Sequence, residues 1–177
     1  MNKYTFLSDN RIANTKDFFL TAKLGEEAFK TAQDPTQMQL NKKRIHELAK
    51  HFAEGINLIY YNNEFIGFVY LQPATKQDMN EFLKGNITEE ELTQKTIKQQ
   101  LRIQEAEAIY LVAAIIQEKH QRKGLATTAY KKLLDKYVKQ EAHLFSWAYT
   151  KQGEALINKL EQELQRTIHT PCKLTNQ

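Results

Sequence analysis

The 177-residue sequence contains one cysteine, Cys172. A single thiol cannot build an internal disulfide framework, and sparse cysteine is typical of a reducing compartment, so a cytoplasmic location is expected. No apolar run approaches the roughly 20 residues that a helix needs to cross a bilayer. Residues 1–11 also lack the apolar core of a signal peptide. We therefore predict no transmembrane helix and no membrane partner.

Residue patterns typical of metal or nucleophile chemistry are missing as well. Cys172 is not part of a Cys/His motif, and Ser146 lacks the glycines of a nucleophile elbow, so both are interpreted as structural. We therefore predict a protein without a metal site, because no metal-ligand spacing connects the histidines at positions 46, 51, 143 and 169.

The balance of charge is mildly basic. The formal net charge is +4 and the sequence pI is about 9.0, with both signs interspersed and no long run of lysine or arginine. Such a balance fits an anionic ligand and would also fit nucleic acid. A soluble surface with a slight surplus of lysine explains the net charge by itself.

Hydrophobic periodicity predicts strands and helices along one domain that spans residues 1–177. Two runs rich in β-branched and aromatic residues are joined by Asn62 and Asn63, which tolerate the positive φ of a tight hairpin. We expect Pro73 to end this hairpin and Pro171 to restrict the last strand to an edge or to break it. The predicted strands are 4–7, 56–61, 64–71, 109–116, 143–149 and 167–174, and the predicted helices are 15–30, 37–53, 124–138 and 152–164.

Residues 74–104 are predicted to add two helices between the third and fourth strands. The first covers residues 77–84, and the second begins with the capping box Thr88-x-x-Glu91. This helix start also explains the acidic cluster 89–91, because carboxylates stabilise the positive end of a helix dipole. The apolar stripe of the insertion is thin. Three roles are open: packing on the domain, a lid over an acceptor site, or a dimer contact.

The centre of the sequence combines an apolar run at 109–116, a polar break at 117–123 and Gly124, which is followed by helical spacing. An apolar run of this length predicts a strand buried on both faces. Strand, tight loop and helix start in this order favour anion binding, because the first helical amides lack an internal partner and the helix dipole adds positive charge. An ordinary turn with solvated basic residues is the alternative.

The segment from Gln121 to Ala126 fits the pattern Gln/Arg-x-x-Gly-x-Gly/Ala. It resembles the acetyl-CoA pyrophosphate loop of the GNAT family of N-acetyltransferases. The resemblance implies a mixed α/β (α+β) domain with the acyl-CoA N-acyltransferase fold, in which helices flank a twisted, mostly antiparallel central sheet. The insertion at 74–104 departs from the family pattern. The implied residues for binding the cosubstrate acetyl-CoA are Ile115, Ile116, Gln121, Arg122, Lys123, Gly124, Leu125 and Ala126.

The resemblance also implies direct attack of an amine on the thioester, with a general base and a general acid. The usual acid is a tyrosine in the pattern Asn-x-x-Ala-x-x-x-Tyr. Gln152 and Ala155 resemble the start of that pattern, but Lys159 occupies the position of the tyrosine. We therefore expect Tyr149 to be the acid, and a core or rim aromatic is the alternative interpretation of that residue.

Two carboxylates at the entry of the central strand are candidates for the base. Glutamates in this place serve as the base in some members of the family, so Glu107 is predicted to be catalytic and Glu105 is the second candidate. The alternative is that both are surface charges at the start of a strand.

The leading hypothesis is an acetyl-CoA-dependent N-acetyltransferase that acts on a primary amine of a small molecule or peptide. The sequence does not select the acceptor. A non-catalytic acyl-CoA-binding module with the same fold is the second hypothesis, because the usual acid is replaced. Binding of nucleic acid depends on the pI alone and is disfavoured. The resemblance is compatible with a homodimer and leaves the oligomeric state open.

Overall fold

The computed structural model describes residues 3–30 and 33–171. Its strands form one six-stranded sheet, and their spatial order follows the sequence. The strands are β1 Tyr4–Phe6, β2 Ile56–Tyr61, β3 Glu64–Ala74, β4 Ala108–Ile116, β5 His143–Phe145 and β6 Ile168–His169. The helices are α1 Thr15–Phe29, α2 Lys42–His51, α3 Lys76–Leu83, α4 Glu89–Gln99, α5 Leu125–Tyr137 and α6 Lys151–Leu164.

The sheet is mixed and has helices on both faces. Strands β1 to β4 pair antiparallel with their neighbours, whereas β5 pairs parallel with β4 and with β6. Leu133 of α5 and Leu160 of α6 enter the apolar cluster on one face. Phe18 of α1 and Ile45 of α2 enter the cluster on the other face. The predicted fold class is therefore confirmed.

The insertion between β3 and β4 forms the two predicted helices and packs on the domain. Phe82 of α3 and Leu92 of α4 are buried. Thr93 Oγ1 of α4 donates a 3.1 Å hydrogen bond to the buried side chain of Gln72 in β3. Packing, one of the three roles expected for this segment, is thus observed.

The acidic cluster at the start of α4 makes two kinds of contact. Glu91 completes the predicted capping box. Glu89 Oε2 instead accepts a 3.1 Å hydrogen bond from the backbone N–H of Met38, and Glu90 Oε2 accepts one of 2.9 Å from that of Gln39. Helix capping therefore explains Glu91 alone, and the other two carboxylates hold the segment before α2 against the insertion.

This contact explains why α2 is shorter than predicted. The helix begins at Lys42 and not at residue 37, with Asn41 as its N-cap. The Asn41 side chain accepts a 2.9 Å hydrogen bond from the backbone N–H of Arg44. Residues 37–41 remain outside the helix because the amides of Met38 and Gln39 bond to α4 in place of a preceding helical turn.

Two proline boundaries were also predicted, and the structure corrects the first. Strand β3 continues through Pro73, which pairs with Ile109 of β4. Proline is tolerated here because β2 pairs with β3 only as far as Tyr70, which leaves Pro73 with one bonded neighbour strand. The last strand ends at His169, before Pro171. Residues 172–174 of the predicted strand lie outside the described residues.

Candidate active site

A cleft opens where β4 and β5 separate. The two strands pair only from Ala108 to Tyr110 of β4, and the predicted strand 143–149 ends its ladder at Phe145. Ser146 marks the point of divergence, where its Oγ donates a 2.9 Å hydrogen bond to the carbonyl of Leu111. Beyond it, residues 111–116 and 146–150 line the two walls of a cleft of about 500 Å³.

The start of α5 forms one end of this cleft. Gly124 is the N-cap with φ +75°, and Arg122 also has positive φ, at 59°. Left-handed residues at alternate positions turn successive amides toward one side, which is the geometry of an anion-binding nest. Within the described chain, no protein acceptor receives the amide N–H groups of Leu125, Ala126 and Thr127. These donors are therefore available to an anionic ligand.

The side chains of the loop differ in their placement. Gln121, Arg122, Gly124, Leu125 and Ala126 all line the cleft, as do Ile115 and Ile116 of β4. Gln121 Nε2 donates a 2.8 Å hydrogen bond to the carbonyl of Ile116, which ties the loop to the end of the strand. The structure does not bring Lys123 into the cleft lining, because Lys123 Nζ donates a 3.1 Å hydrogen bond to Tyr4 Oη.

Lys159 of α6 is a cleft residue whose contribution the sequence did not reveal. A methyl group built on Gly124 would lie 3.7 Å from Lys159 Nζ, so the ammonium stands beside the free amides of α5. It forms a long ion pair of 3.8 Å with Glu163 and remains 52% exposed. The residue in the usual tyrosine position is thus placed to add positive charge to the anion site. Gln152 and Ala155, which resemble the start of that tyrosine pattern, also line the cleft.

A bulge in β4 lies at the middle of the cleft wall. Tyr70 of β3 pairs with Ala113 and the next residue pairs with Leu111, so Val112 is the extra residue. Tyr130 Oη of α5 donates a 2.7 Å hydrogen bond to the carbonyl of Ala113. The bulge is therefore held from the helix side. Beyond it β4 still pairs with β3, but among the described residues its other edge pairs with β5 only from Ala108 to Tyr110.

A second, smaller cavity lies on the other side of this bulge. Its volume is about 90 Å³, and its walls include residues of α1, α2, β3 and β4. Both cavities are lined by the same five residues where they meet, which are Phe29, Val112, Ala113, Ile115 and Tyr149. The arrangement is that of a larger cleft with an anion site at one end and a small apolar chamber reached at its centre.

Tyr149 stands at the junction of the two cavities. Its ring stacks on Trp147 with 6.1 Å between centroids and 12° between planes. Tyr149 is 54% exposed, yet desolvation raises the pKa of its phenol, and the negative charge of Glu89 raises it further. The hydroxyl is therefore protonated at neutral pH and can donate a proton at the junction.

The predicted bases lie elsewhere. Glu107 and Glu105 are exposed, and neither is among the described residues that line the two cavities. Glu107 Oε2 accepts a 3.1 Å hydrogen bond from the backbone N–H of Lys76 at the start of α3. The nine residues of β4 separate Glu107 from the loop 121–126, roughly 30 Å of extended chain. A catalytic role for Glu107 stays a prediction.

Two kinds of feature are absent from the part of the chain that the structure describes. No group of three or more His, Cys, Asp or Glu side chains could hold a metal ion. No helix in the same residues has both the length and the apolar character needed to cross a bilayer.

Comparison with known proteins supplies the family. A sequence profile described as the acetyltransferase (GNAT) family matches residues 20–164. No functionally curated protein matches the sequence. Among solved structures, the fold is similar to that of diaminobutyrate acetyltransferase from Paenibacillus lautus in complex with L-2,4-diaminobutyric acid and coenzyme A. That similarity has a TM-score of 0.55 at 11% identity and covers 92% of this chain and 77% of the other.

The loading GNATL domain of CurA from Lyngbya majuscula is a second similar structure, with a TM-score of 0.51 at 16% identity. The alignment covers 76% of this chain and 58% of that chain. At such identities the structural similarities establish the fold alone. The family profile, however, matches residues 20–164, which are most of the chain. The chain therefore belongs to the acetyltransferase (GNAT) family.

Proposed function

We propose that the protein transfers an acetyl group from acetyl-CoA to a primary amine of a small molecule or peptide by direct attack. The observation that carries the proposal is the meeting of two cavities at Tyr149. One cavity has unpartnered helical amides at its end and suits a long anionic cofactor. The other is a chamber of the size of a small organic group, next to the point where the cofactor's thioester would lie.

Acetyl-CoA is proposed to lie along the cleft between β4 and β5. The amides of Leu125, Ala126 and Thr127 would donate to the pyrophosphate at the start of α5, where the helix dipole favours negative charge. Arg122 and Lys159 would add charge-assisted contacts to phosphate. The remaining loop residues, Gln121, Lys123 and Gly124, shape the nest, and backbone groups at Ile115 and Ile116 would hold the pantetheine arm.

In this proposal the amine nitrogen attacks the carbonyl carbon of the thioester. The carbon–sulfur bond breaks, and the thiolate takes a proton from Tyr149 Oη. The amine loses two protons in the reaction, one before attack and one as the amide forms. Its ammonium form is unreactive, so a general base near the acceptor takes the first of them. Glu107 is the candidate predicted from the sequence.

Calorimetry with CoA and a coupled assay for thiol release test the proposal. We expect wild-type protein to bind CoA and to release thiol only when an amine is present. Tyr149→Phe should keep the CoA affinity within twofold and lower kcat by about 10- to 100-fold, in the range of lost acid catalysis. CoA binding without turnover across a panel of amines would favour the non-catalytic acyl-CoA-binding module. Absence of CoA binding would exclude both functions.

The remaining expectations are part of the same proposal. A cytoplasmic location suits the single cysteine, Cys172. A homodimer is proposed for solution and is tested by light scattering over a range of protein concentrations. We expect no salt-sensitive binding to DNA or RNA at low ionic strength, where a basic nucleic-acid interface would bind most tightly.

A further inference from the structure

The small cavity between α1, α2, β3 and β4 is almost entirely apolar. Its lining includes Phe18 and Ala22 of α1, Leu48 of α2 and Phe68 of β3. Gly25 of α1 is buried, yet a methyl group built on it would meet only one atom within 4 Å, Leu40 Cδ1 at 3.9 Å. The space beside this glycine is therefore real chamber volume and not a gap between well-packed side chains.

One carboxylate lies in the wall of this apolar chamber. Glu89 of α4 is only 8% exposed and lines the cavity. It accepts hydrogen bonds from the backbone N–H of Met38 (3.1 Å) and from Tyr110 Oη (3.1 Å). No lysine, arginine or histidine among the described residues forms an ion pair with it. Burial raises the pKa of the Glu89 carboxyl group.

The neighbouring glutamate shows what a structural carboxylate in this turn looks like. Glu90 also bonds to the segment before α2, through the backbone N–H of Gln39. Unlike Glu89, it forms an ion pair with Arg44 at 2.6 Å and lies outside the cavity lining. A buried carboxylate without a cation is costly. Of these two buried or half-buried glutamates, the one that faces the chamber has no ion pair among the described residues.

A second polar group in the chamber wall has no partner. Tyr70 of β3 is 5% exposed and lines the cavity. Its hydroxyl is buried and makes no hydrogen bond to any described residue. Burial raises the pKa of this phenol well above its ordinary value, so it is a neutral donor. A buried hydroxyl without a hydrogen-bond partner and a buried carboxylate without an ion-pair partner line the same chamber, which indicates that polar atoms of a ligand complete the site.

We propose that Glu89 binds the ammonium group of the acceptor and takes its first proton, and that the acceptor is a small primary amine with one positive charge and a compact apolar body. The inference rests on the proposed function and specifies its substrate class and its base. The amine lies at the junction between Glu89 and Tyr149, and its apolar body fills the space beside Gly25. Tyr70 Oη donates to an oxygen of the acceptor where one is present.

The protons balance along this path. The ammonium transfers one proton to Glu89, which becomes a neutral acid, and the free amine attacks the thioester. Tyr149 gives its proton to the thiolate, and the second proton of the amine leaves as the amide forms. Two protons are then available, one on the neutral Glu89 and one from the amine. One of them reprotonates Tyr149, and the other is released to water.

The volume of the chamber limits the acceptor. A cavity of about 150 Å³ accepts benzene, so a chamber of about 90 Å³ suits a body of three to four carbons. A second ammonium at the far end of the acceptor would have to enter an apolar space without a counter-charge. Isobutylamine is therefore a suitable probe, and 1,4-diaminobutane is the matched probe with two charges.

The test compares Glu89→Gln with Glu90→Gln. Glutamine at position 89 keeps an acceptor for the Met38 N–H and a partner for Tyr110, so the fold is retained while the charge is removed. We expect Glu89→Gln to lower kcat/KM for isobutylamine by about 100- to 1,000-fold, in the range of lost base catalysis and lost ion pairing. The affinity for CoA should change less than twofold. Glu90→Gln should stay within threefold of the wild type.

Binding of isobutylamine to the CoA complex, measured by calorimetry, separates this inference from the proposed function. Glu89-dependent binding without acetyl transfer supports the acceptor site and rejects the enzyme function. Acetyl transfer that is unchanged in Glu89→Gln, or lost in Glu107→Gln instead, overturns the inference and leaves the function intact. Absence of isobutylamine binding, or a kcat/KM for 1,4-diaminobutane equal to that for isobutylamine, also overturns the inference.

Gly25→Ala tests the size of the chamber without disturbing the fold. The added methyl has room and should reduce the ratio of kcat/KM for isobutylamine to that for ethylamine at least fivefold, as one methylene typically does in a filled pocket. An unchanged ratio would show that the body of the acceptor lies elsewhere.

Discussion

Gly67 of β3 is a position where a single methyl group should damage the frame of the cleft. It pairs with Ile116, the last residue of β4. A Cβ on Gly67 would lie 2.4 Å from the carbonyl oxygen of Ile115 and 2.8 Å from Cα of Ile116. Both neighbours are backbone atoms, which cannot rotate away. The strands would have to separate by roughly 1 Å to reach ordinary contact distance.

The expected cost combines three terms. Overpacking of this kind costs about 1–3 kcal/mol, and each weakened inter-strand hydrogen bond adds about 1 kcal/mol. Replacing glycine also reduces the entropy of the unfolded chain, which offsets about 0.4–1 kcal/mol. We therefore expect Gly67→Ala to lower the free energy of unfolding by about 2 kcal/mol, and Tm by about 4–8 °C for a chain of this length.

Thermal denaturation followed by circular dichroism measures this effect, and Gly25→Ala is the matched control. Gly25 is inside α1 and its added methyl has room, so the control should raise stability by about 0.5–1 kcal/mol. CoA affinity provides a second measurement. Gln121 bonds to the carbonyl of Ile116, so displacement of that strand end should weaken CoA binding in Gly67→Ala. A Tm equal to or above that of the wild type would refute the reasoning.

Three further variants test the site. Lys159→Met should raise the Kd for CoA about fivefold, or about 1 kcal/mol for a half-exposed charged contact, and weaken its salt dependence in calorimetry. Tyr130→Phe removes the donor to the Ala113 carbonyl and should cost about 1–2 kcal/mol in urea denaturation. The Tm of Glu89→Gln should exceed that of the wild type most near pH 8 and least near pH 5. Burial raises the pKa of Glu89, so the folded wild type holds that proton more tightly and loses stability as pH rises from about 5.

The fold could be predicted because its signals are local. The apolar run before the Gln121 loop has no polar face, which predicts a central strand, and Gly124 supplies the left-handed residue that the start of α5 needs. The hairpin turn at Asn62 and Asn63 likewise has positive φ at both residues. In each case the signal lies in the residues of the element itself and does not depend on distant segments.

The boundaries that were predicted incorrectly depend on contacts between distant segments. Helical propensity predicts that α2 begins at residue 37. The helix begins later because Met38 and Gln39 give their amides to glutamates of the insertion. Pro73 normally ends a strand, but it is tolerated where β2 no longer pairs with β3. Neither contact leaves a pattern in the local sequence.

The position of Lys159 in the site also depends on a contact between distant segments. A comparison of motifs identifies it as a missing tyrosine, whereas its position beside Gly124 depends on how α6 crosses α5. The half of the site proposed for CoA is built largely from backbone amides of one short loop, so six consecutive residues are enough to indicate it.

The half proposed for the acceptor is built from side chains of several separate elements. Three consecutive glutamates begin α4, and their side chains have the same intrinsic chemistry. The packing of the insertion on β3 and on the segment before α2 turns Glu91 to the helix cap, Glu90 to Arg44 and Glu89 to the chamber. The orientation of α4 thus decides which of the three glutamates faces the chamber. The acceptor specificity of this chain should therefore follow the orientation of α4, which motif comparison over residues 121–126 does not describe.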